Sequence, residues 1–156
     1  MGQPTISIAM GRYMLSDHIR DEVDWGRTAQ SRGLRPPAVQ KAYRQDAPIV
    51  PLVGPEHWQI PPLDLCRAIM VRRSHRRFTD ENLSLEELSF LLYCTQGVTQ
   101  EIHPAAVRRT VPSAGCRHPF ETYLVVDRVA GLAGGLYRYL PLNHALVQEH
   151  NGTEGL

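Results

Sequence analysis

Apolar positions fall into distinct periods along the chain, and each period predicts an element. Leu85, Leu88, Leu91 and Leu92 recur at helical spacing. Ser84 followed by Glu87 gives the capping-box spacing at the start of that helix, in which each side chain satisfies the other residue's backbone N–H. Gly97 is placed to end the helix in a left-handed conformation. The leucine stripe reads as core rather than as a cofactor box. A shorter helix is predicted from about residue 64 to 72, with Leu65, Ala68 and Ile69 on one face. Residues 120–126 alternate and are rich in β-formers (Thr122, Tyr123, Leu124, Val125, Val126), which predicts a strand. Gly131, Gly134 and Gly135 then punctuate a turn region, and residues 136–140 and 145–148 predict two further strands joined across Pro141 and Asn143. Helix, helix, strand, strand, strand is the order of an α+β domain with an antiparallel portion.

The rest of the chain is less periodic. Residues 1–42 read as a loosely specified leader: Ser16 offers a cap for a short helix through Ile19 and Val23, but Gly26, Gly33, Pro36 and Pro37 prevent a long one. Residues 46–62 carry five prolines (Pro48, Pro51, Pro55, Pro61 and Pro62), which remove backbone donors and restrict their neighbours. That stretch reads as an extended arm over a surface. With Ile49, Val50, Leu52, Val53, Trp58 and Ile60 it is too apolar for a free linker, and it is expected to pack onto something, another subunit included. Residues 99–118 read as a loop. The division is a leader (1–42), part of a domain (43–149) and a tail (150–156).

Composition adds limits. The chain of 156 residues is 42% hydrophobic and 21% charged, ordinary for a single globular domain rather than a disordered tail. Its 17 basic and 16 acidic residues leave a net charge of +1, which argues against binding nucleic acid by bulk electrostatics. Cys66, Cys94 and Cys116 are odd in number and far apart, so they are not a disulfide framework. Cys116 and His118 are two metal ligands without a second pair, and no metal site is expected. No apolar run approaches the roughly 18 residues of a spanning helix, and residues 1–10 make a poor signal peptide. A cytoplasmic address follows by default, with no membrane partner.

The candidate chemistry lies in the basic residues. Arg72, Arg73, Ser74, His75, Arg76, Arg77 and Phe78 follow a predicted helix end. Guanidinium groups present forks of donors to phosphate oxygens, and a serine hydroxyl adds another. On spacing alone, a solvated basic patch is the first reading and an anion site the second. A nucleic-acid contact is disfavoured further by the lack of interleaved aromatics. The run Pro112, Ser113, Ala114, Gly115 reads by itself as an ordinary turn. Gly131, Gly134 and Gly135 are no dinucleotide fingerprint, because they lie between strands and open no helix.

Taken in order, these segments resemble the opening of the nitroreductase superfamily: Arg72 to Phe78, the capped helix from Ser84, then Gln96 and Gly97. Three more segments resemble its SagB-type dehydrogenase branch: the arm from Tyr43 to Leu52, the loop from Pro112 to Pro119, and Gly135 to Tyr139 followed by His144, Ala145 and Leu146. The resemblance implies an FMN-dependent oxidoreductase with a nitroreductase-like α+β fold. It implies that Arg72, Arg73 and Ser74 hold the FMN phosphate and that Arg76 lies beside the pyrimidine edge. Pro112, Ser113, Ala114 and Gly115 would lie along the ring of the partner subunit's FMN in a homodimer. Small residues there let the backbone approach closely. Cys116 stands where other relatives of the family carry a polar amide. Arg117 and His118 fit the branch, with neither assigned as acid or base, and a structural loop histidine is the first reading of His118.

The resemblance further implies a small-molecule or modified-peptide substrate, azoline-bearing peptides among them, and reduced nicotinamide, NAD(P)H, as an electron donor. The sequence reads as the N-terminal part of that fold, with a second half of helices and central strands expected beyond it. Two alternatives follow: a flavin-free remnant that binds or assembles with a protein partner, or one half of a split enzyme. The sheet, taken to end near Gln148, is expected to leave an edge and an apolar face uncovered.

Overall fold

The computed structural model describes residues 7–155, and the chain divides into two compact units, Met1–Pro37 and Ala38–Leu156. In the first unit, helix α1 (Ile8–Met14) starts where the Ser7 side chain accepts from the Met10 N–H at 3.1 Å. The helix expected after Ser16 is a 3₁₀ turn, Asp17–Glu22, and Ser16 does not cap it. Its hydroxyl donates instead to the Tyr13 carbonyl at 2.7 Å, closing the end of α1.

The second unit is α+β. The arm contributes strand β1 (Ile49–Pro51), helix α2 is Leu65–Val71 and helix α3 is Leu85–Gln96. Strands β2 (Val98–His103) and β3 (Ala106–Arg109) form a hairpin, and β4 (Tyr123–Val126), β5 (Gly135–Leu140) and β6 (Ala145–Asn151) follow. The larger sheet has the order β1-β6-β5-β4, antiparallel throughout. Among the described residues no helix is long and apolar enough to cross a membrane.

α3 is the best specified element. Both halves of its capping box form: the Glu87 N–H donates to Ser84 Oγ at 3.1 Å and the Ser84 N–H to the Glu87 carboxylate at 2.8 Å. Leu88 and Leu92 are buried against Val126, Tyr137, Tyr139 and Leu146 of the sheet, whereas Leu91, expected in the same stripe, is half exposed. Gly97 ends the helix as predicted but not in the left-handed region, since its φ is −59°. It is required for space: a Cβ there would stand 2.6 Å from the Tyr93 carbonyl oxygen and 2.5 Å from the Tyr93 ring.

The arm packs on its own chain. β1 pairs with β6 from Ile49 opposite Val147 to Pro51 opposite Ala145, so the β6 edge expected to be free is covered, and β1 and β4 are the sheet's outer strands. Beyond β1, Trp58 donates from Nε1 to the Val53 carbonyl at 2.9 Å and meets Phe90 and Tyr93 of α3 edge-on. The same carbonyl accepts from Ser89 Oγ at 2.6 Å and lies 3.0 Å from His144 Nε2. His144 Nδ1 is 2.8 Å from the Tyr139 hydroxyl. A neutral ring protonated on Nε2 satisfies this set, donating toward Val53 while Nδ1 accepts from Tyr139.

A strap at residues 38–42 reaches Arg138 of β5. Arg138 is fully buried and donates to the carbonyls of Lys41 (2.9 Å) and Ala42 (3.0 Å) and to Glu149 (2.7 Å) and Glu121 (3.4 Å). A buried guanidinium is tolerated only with its donors satisfied in this way. By contrast, the apolar residues of α2 stay at the surface: Leu65 is 71% exposed, Ile69 67% and Met70 75%.

Candidate functional site

The stretch expected to be a loop from residue 99 to 118 is partly a hairpin. β2 has exposed side chains along almost its whole length, so it carries no alternation to read, and only Val107 of β3 is deeply buried. The hairpin delivers the chain to a turn that walls a cavity of about 450 Å³, lined by Gln96, residues 111–114 and residues 117–120. That volume lies in the usual range for small-molecule sites.

The turn is tightly wound. Gly115 (φ 63°), Cys116 (φ 54°) and His118 (φ 43°) all adopt left-handed conformations, the last two without a glycine's freedom. Such strain persists only where surrounding bonds hold it. Here the His118 N–H donates to Ser113 Oγ at 2.9 Å and the Cys116 N–H to the Ser113 carbonyl at 3.1 Å. Thr110 ties the preceding residues to the end of α3, its N–H donating to the Gly97 carbonyl and its hydroxyl to the Tyr93 carbonyl. Arg117 donates to the Ala105 carbonyl at 2.8 Å, fastening the far wall to the hairpin.

Electrostatically the cavity is donor-rich, with no carboxylate among its lining residues. Burial, then the Arg109 guanidinium, hold the His118 ring below the usual histidine range, so it is neutral near pH 7. Arg109 stands behind the wall, donating to Gln96 Oε1 at 3.2 Å and to the Val39 carbonyl at 3.1 Å. Burial also lowers the Arg109 pKa, and its Nε–H is buried without a partner.

Of the residues singled out in the sequence, Pro112, Ser113 and Ala114 line this cavity, and Gly115 sits in the same turn without lining it. Arg72, Arg73, Ser74 and Arg76 line no part of it. They lie in an exposed segment after α2, where the Arg72 N–H closes the helix on Ala68 and Arg73 donates to the carbonyls of Met70 and Arg72. None of the three arginines forms an ion pair among the described residues. Sequence reasoning assigned no role to Gln96 or Arg109. The first was noted only beside Gly97 in the run that carries the family resemblance, and the second had no local signal.

Comparison with known proteins places these features in a family. Residues 69–156 match the model of the nitroreductase family. A protein of Methanocaldococcus jannaschii that carries a nitroreductase name, MJ1384, is 40% identical over 80 residues, covering 51% of this chain and 38% of that protein. The trifolitoxin-processing protein TfxB of Rhizobium leguminosarum bv. trifolii is 39% identical over 69 residues, covering 41% of this chain and 18% of that protein. The chain therefore spans well under half the length of either relative. Because the family match takes in more than half of the chain, including the Arg72–Arg76 segment, α3, the cavity and the strands β4 to β6, this protein belongs to the nitroreductase family.

Proposed function

We propose that this chain forms the flavin-binding part of an FMN-dependent oxidoreductase of the SagB type. Membership of a flavoenzyme family supports the general activity, and the cavity walled by Pro112, Ser113 and Ala114 is the observation that carries the assignment to this chain. The residues fit the group. Val111, Pro112, Ala114, Pro119 and Phe120 give the cavity apolar walls suited to a flat ring. Arg72, Arg73 and Arg76 keep exposed guanidinium groups without acidic partners among the described residues, available to a phosphate. When bound, FMN supplies two-electron redox chemistry, and the protein supplies binding, orientation and charge.

In this reading Arg72, Arg73 and Ser74 hold the phosphate, Arg76 sets positive charge beside the pyrimidine edge, and residues 112–115 lie along the ring. That the arginine segment lines no part of the cavity supports a homodimer in which each site takes one segment from either protomer. The exposed apolar residues of α2 support it too. The segments quoted for the SagB branch and the likeness to a protein named for processing trifolitoxin favour a modified peptide as substrate, with NAD(P)H as an electron donor. FMN titration of the wild type and of Arg72→Ala/Arg73→Ala tests the phosphate assignment. Each charge-assisted bond is worth about 1.5–3 kcal/mol, so the double variant is expected to bind at least tenfold more weakly. Equal affinities would remove the assignment.

A further inference from the structure

We infer that Gln96 is a ligand-binding residue of the 111–120 cavity, offering its amide N–H groups to a hydrogen-bond acceptor on the bound molecule. Arg109 is then the positioning residue that fixes which way the amide faces. The inference deepens the flavin reading and rests on it.

A glutamine amide has two unlike ends of similar shape, an acceptor oxygen and a donor nitrogen, and its surroundings decide which faces where. Here the choice is made from behind. Arg109 has donors only, so the end of Gln96 turned toward it must be Oε1, which accepts at 3.2 Å. Arg109 is not part of the cavity lining, whereas Gln96 is. The Nε2 group makes no hydrogen bond to the described residues, so it is the end of this lining side chain left for a ligand.

Two other polar side chains of the cavity are partly engaged by the protein itself. Ser113 Oγ accepts from the His118 N–H, and Arg117 is drawn to the Ala105 carbonyl. Arg109 itself is held at a cost. Its Nε–H is buried without a partner among the described residues, so the bond to the amide is one of the two side-chain hydrogen bonds that hold this guanidinium there. An acceptor-bearing planar ring such as the isoalloxazine, with its carbonyl oxygens and ring nitrogens, is the class of ligand that a fixed amide donor in an apolar-walled cavity would orient.

Bridging the strap to the end of α3 is also a scaffold role for Arg109, and substitutions separate the two. Gln96→Glu keeps the pair with Arg109 but removes the donor. In the full chain it is expected to melt no lower than wild type and to bind FMN at least tenfold more weakly, followed by flavin fluorescence. Gln96→Leu is expected to lose about tenfold, the worth of one hydrogen bond near the upper end of the usual range. Arg109→Met frees the amide to turn and is expected to lose a similar factor. Adding it to Gln96→Leu is expected to cost nothing further in affinity, a coupling that a purely structural arginine would not show. Arg109→Lys, which restores a cationic donor, is expected to recover part of the loss. A wild type that binds FMN while Gln96→Glu binds equally well overturns this inference and leaves the flavin reading standing. A wild type that binds no FMN overturns both, and additive losses in the double variant overturn the role of Arg109.

Discussion

His144 shows what single residues do in this chain. Burial pushes its ring below the usual histidine range, against the bond to the Val53 carbonyl and the nearby Glu56 carboxylate, which both favour charge. A histidine whose folded pKa is lowered leaves the unfolded state holding more protons just below pH 6.5. Stability is therefore complete above about pH 6.5 and is lost as the pH falls from there toward the folded value. His118 is lowered as well and adds to the same slope. His144→Asn, chosen because asparagine tolerates the left-handed backbone there (φ 44°), is expected to lower stability at pH 7.5 by about 1–3 kcal/mol, through lost hydrogen bonds. It is also expected to flatten the loss between pH 7 and pH 5, read from urea midpoints at the two values. Arg76 belongs at this scale too. A guanidinium beside the pyrimidine edge favours charge that builds there on reduction, so Arg76→Gln is expected to lower the midpoint potential of bound FMN, measured by potentiometric titration. The arginine segment stood out in the sequence because its residues are consecutive. The bonds of His144 to Val53 and of Arg109 to Val39 were not legible, because those partners lie 91 and 70 positions away.

Among the elements, α3 was legible almost to its ends because its signals are local: a cap three residues from its partner and a stripe at helical spacing. Gly97 was read correctly as a terminator and wrongly as a left-handed residue, and the difference has a measurable sign. Gly→Ala at a compatible site stabilises by about 0.4–1 kcal/mol through the unfolded chain. Here the new Cβ would meet backbone and ring atoms of Tyr93 under 3 Å, so the end of α3 must shift. Gly97→Ala is expected to destabilise by about 1–3 kcal/mol, the cost of overpacking, seen as a lower urea midpoint. The hairpin of β2 and β3 went unread because β2 is exposed along almost its whole length and so shows no alternation, while β3 is only four residues long. The strand β1 was read as an extended arm but not as part of the sheet, since prolines hide strand character and its partner lies far along the sequence.

For the whole molecule, the sequence conveyed the α+β class and the order of the main elements, but not how the arm closes the sheet. Nor did it show that α2 is left bare. Leu65, Ile69, Met70 and Val71 on that helix, with Phe78 beyond it, are more than half exposed, a surface of the kind that marks association. In the proposed homodimer this surface is covered. Ile69→Glu is therefore expected to shift the protein from twice the chain mass toward the single chain, followed by size-exclusion chromatography with light scattering. An unchanged mass would place the interface elsewhere.

The pairing of β1 with β6 also sets an order of events in synthesis. Ile49 meets Val147, so the arm leaves the ribosome almost a hundred residues ahead of the strand that receives it. At about 5–20 residues per second, that is a wait on the order of 5–20 s. The strands β4, β5 and β6 follow one another in sequence and can pair as they emerge, whereas β1 must hold its apolar residues unpaired until last. During that interval the arm is open to any other strand edge it meets, including the unfilled β6 edge of a neighbouring nascent copy, and exchange of arms between two chains would complete both sheets with the same bonds.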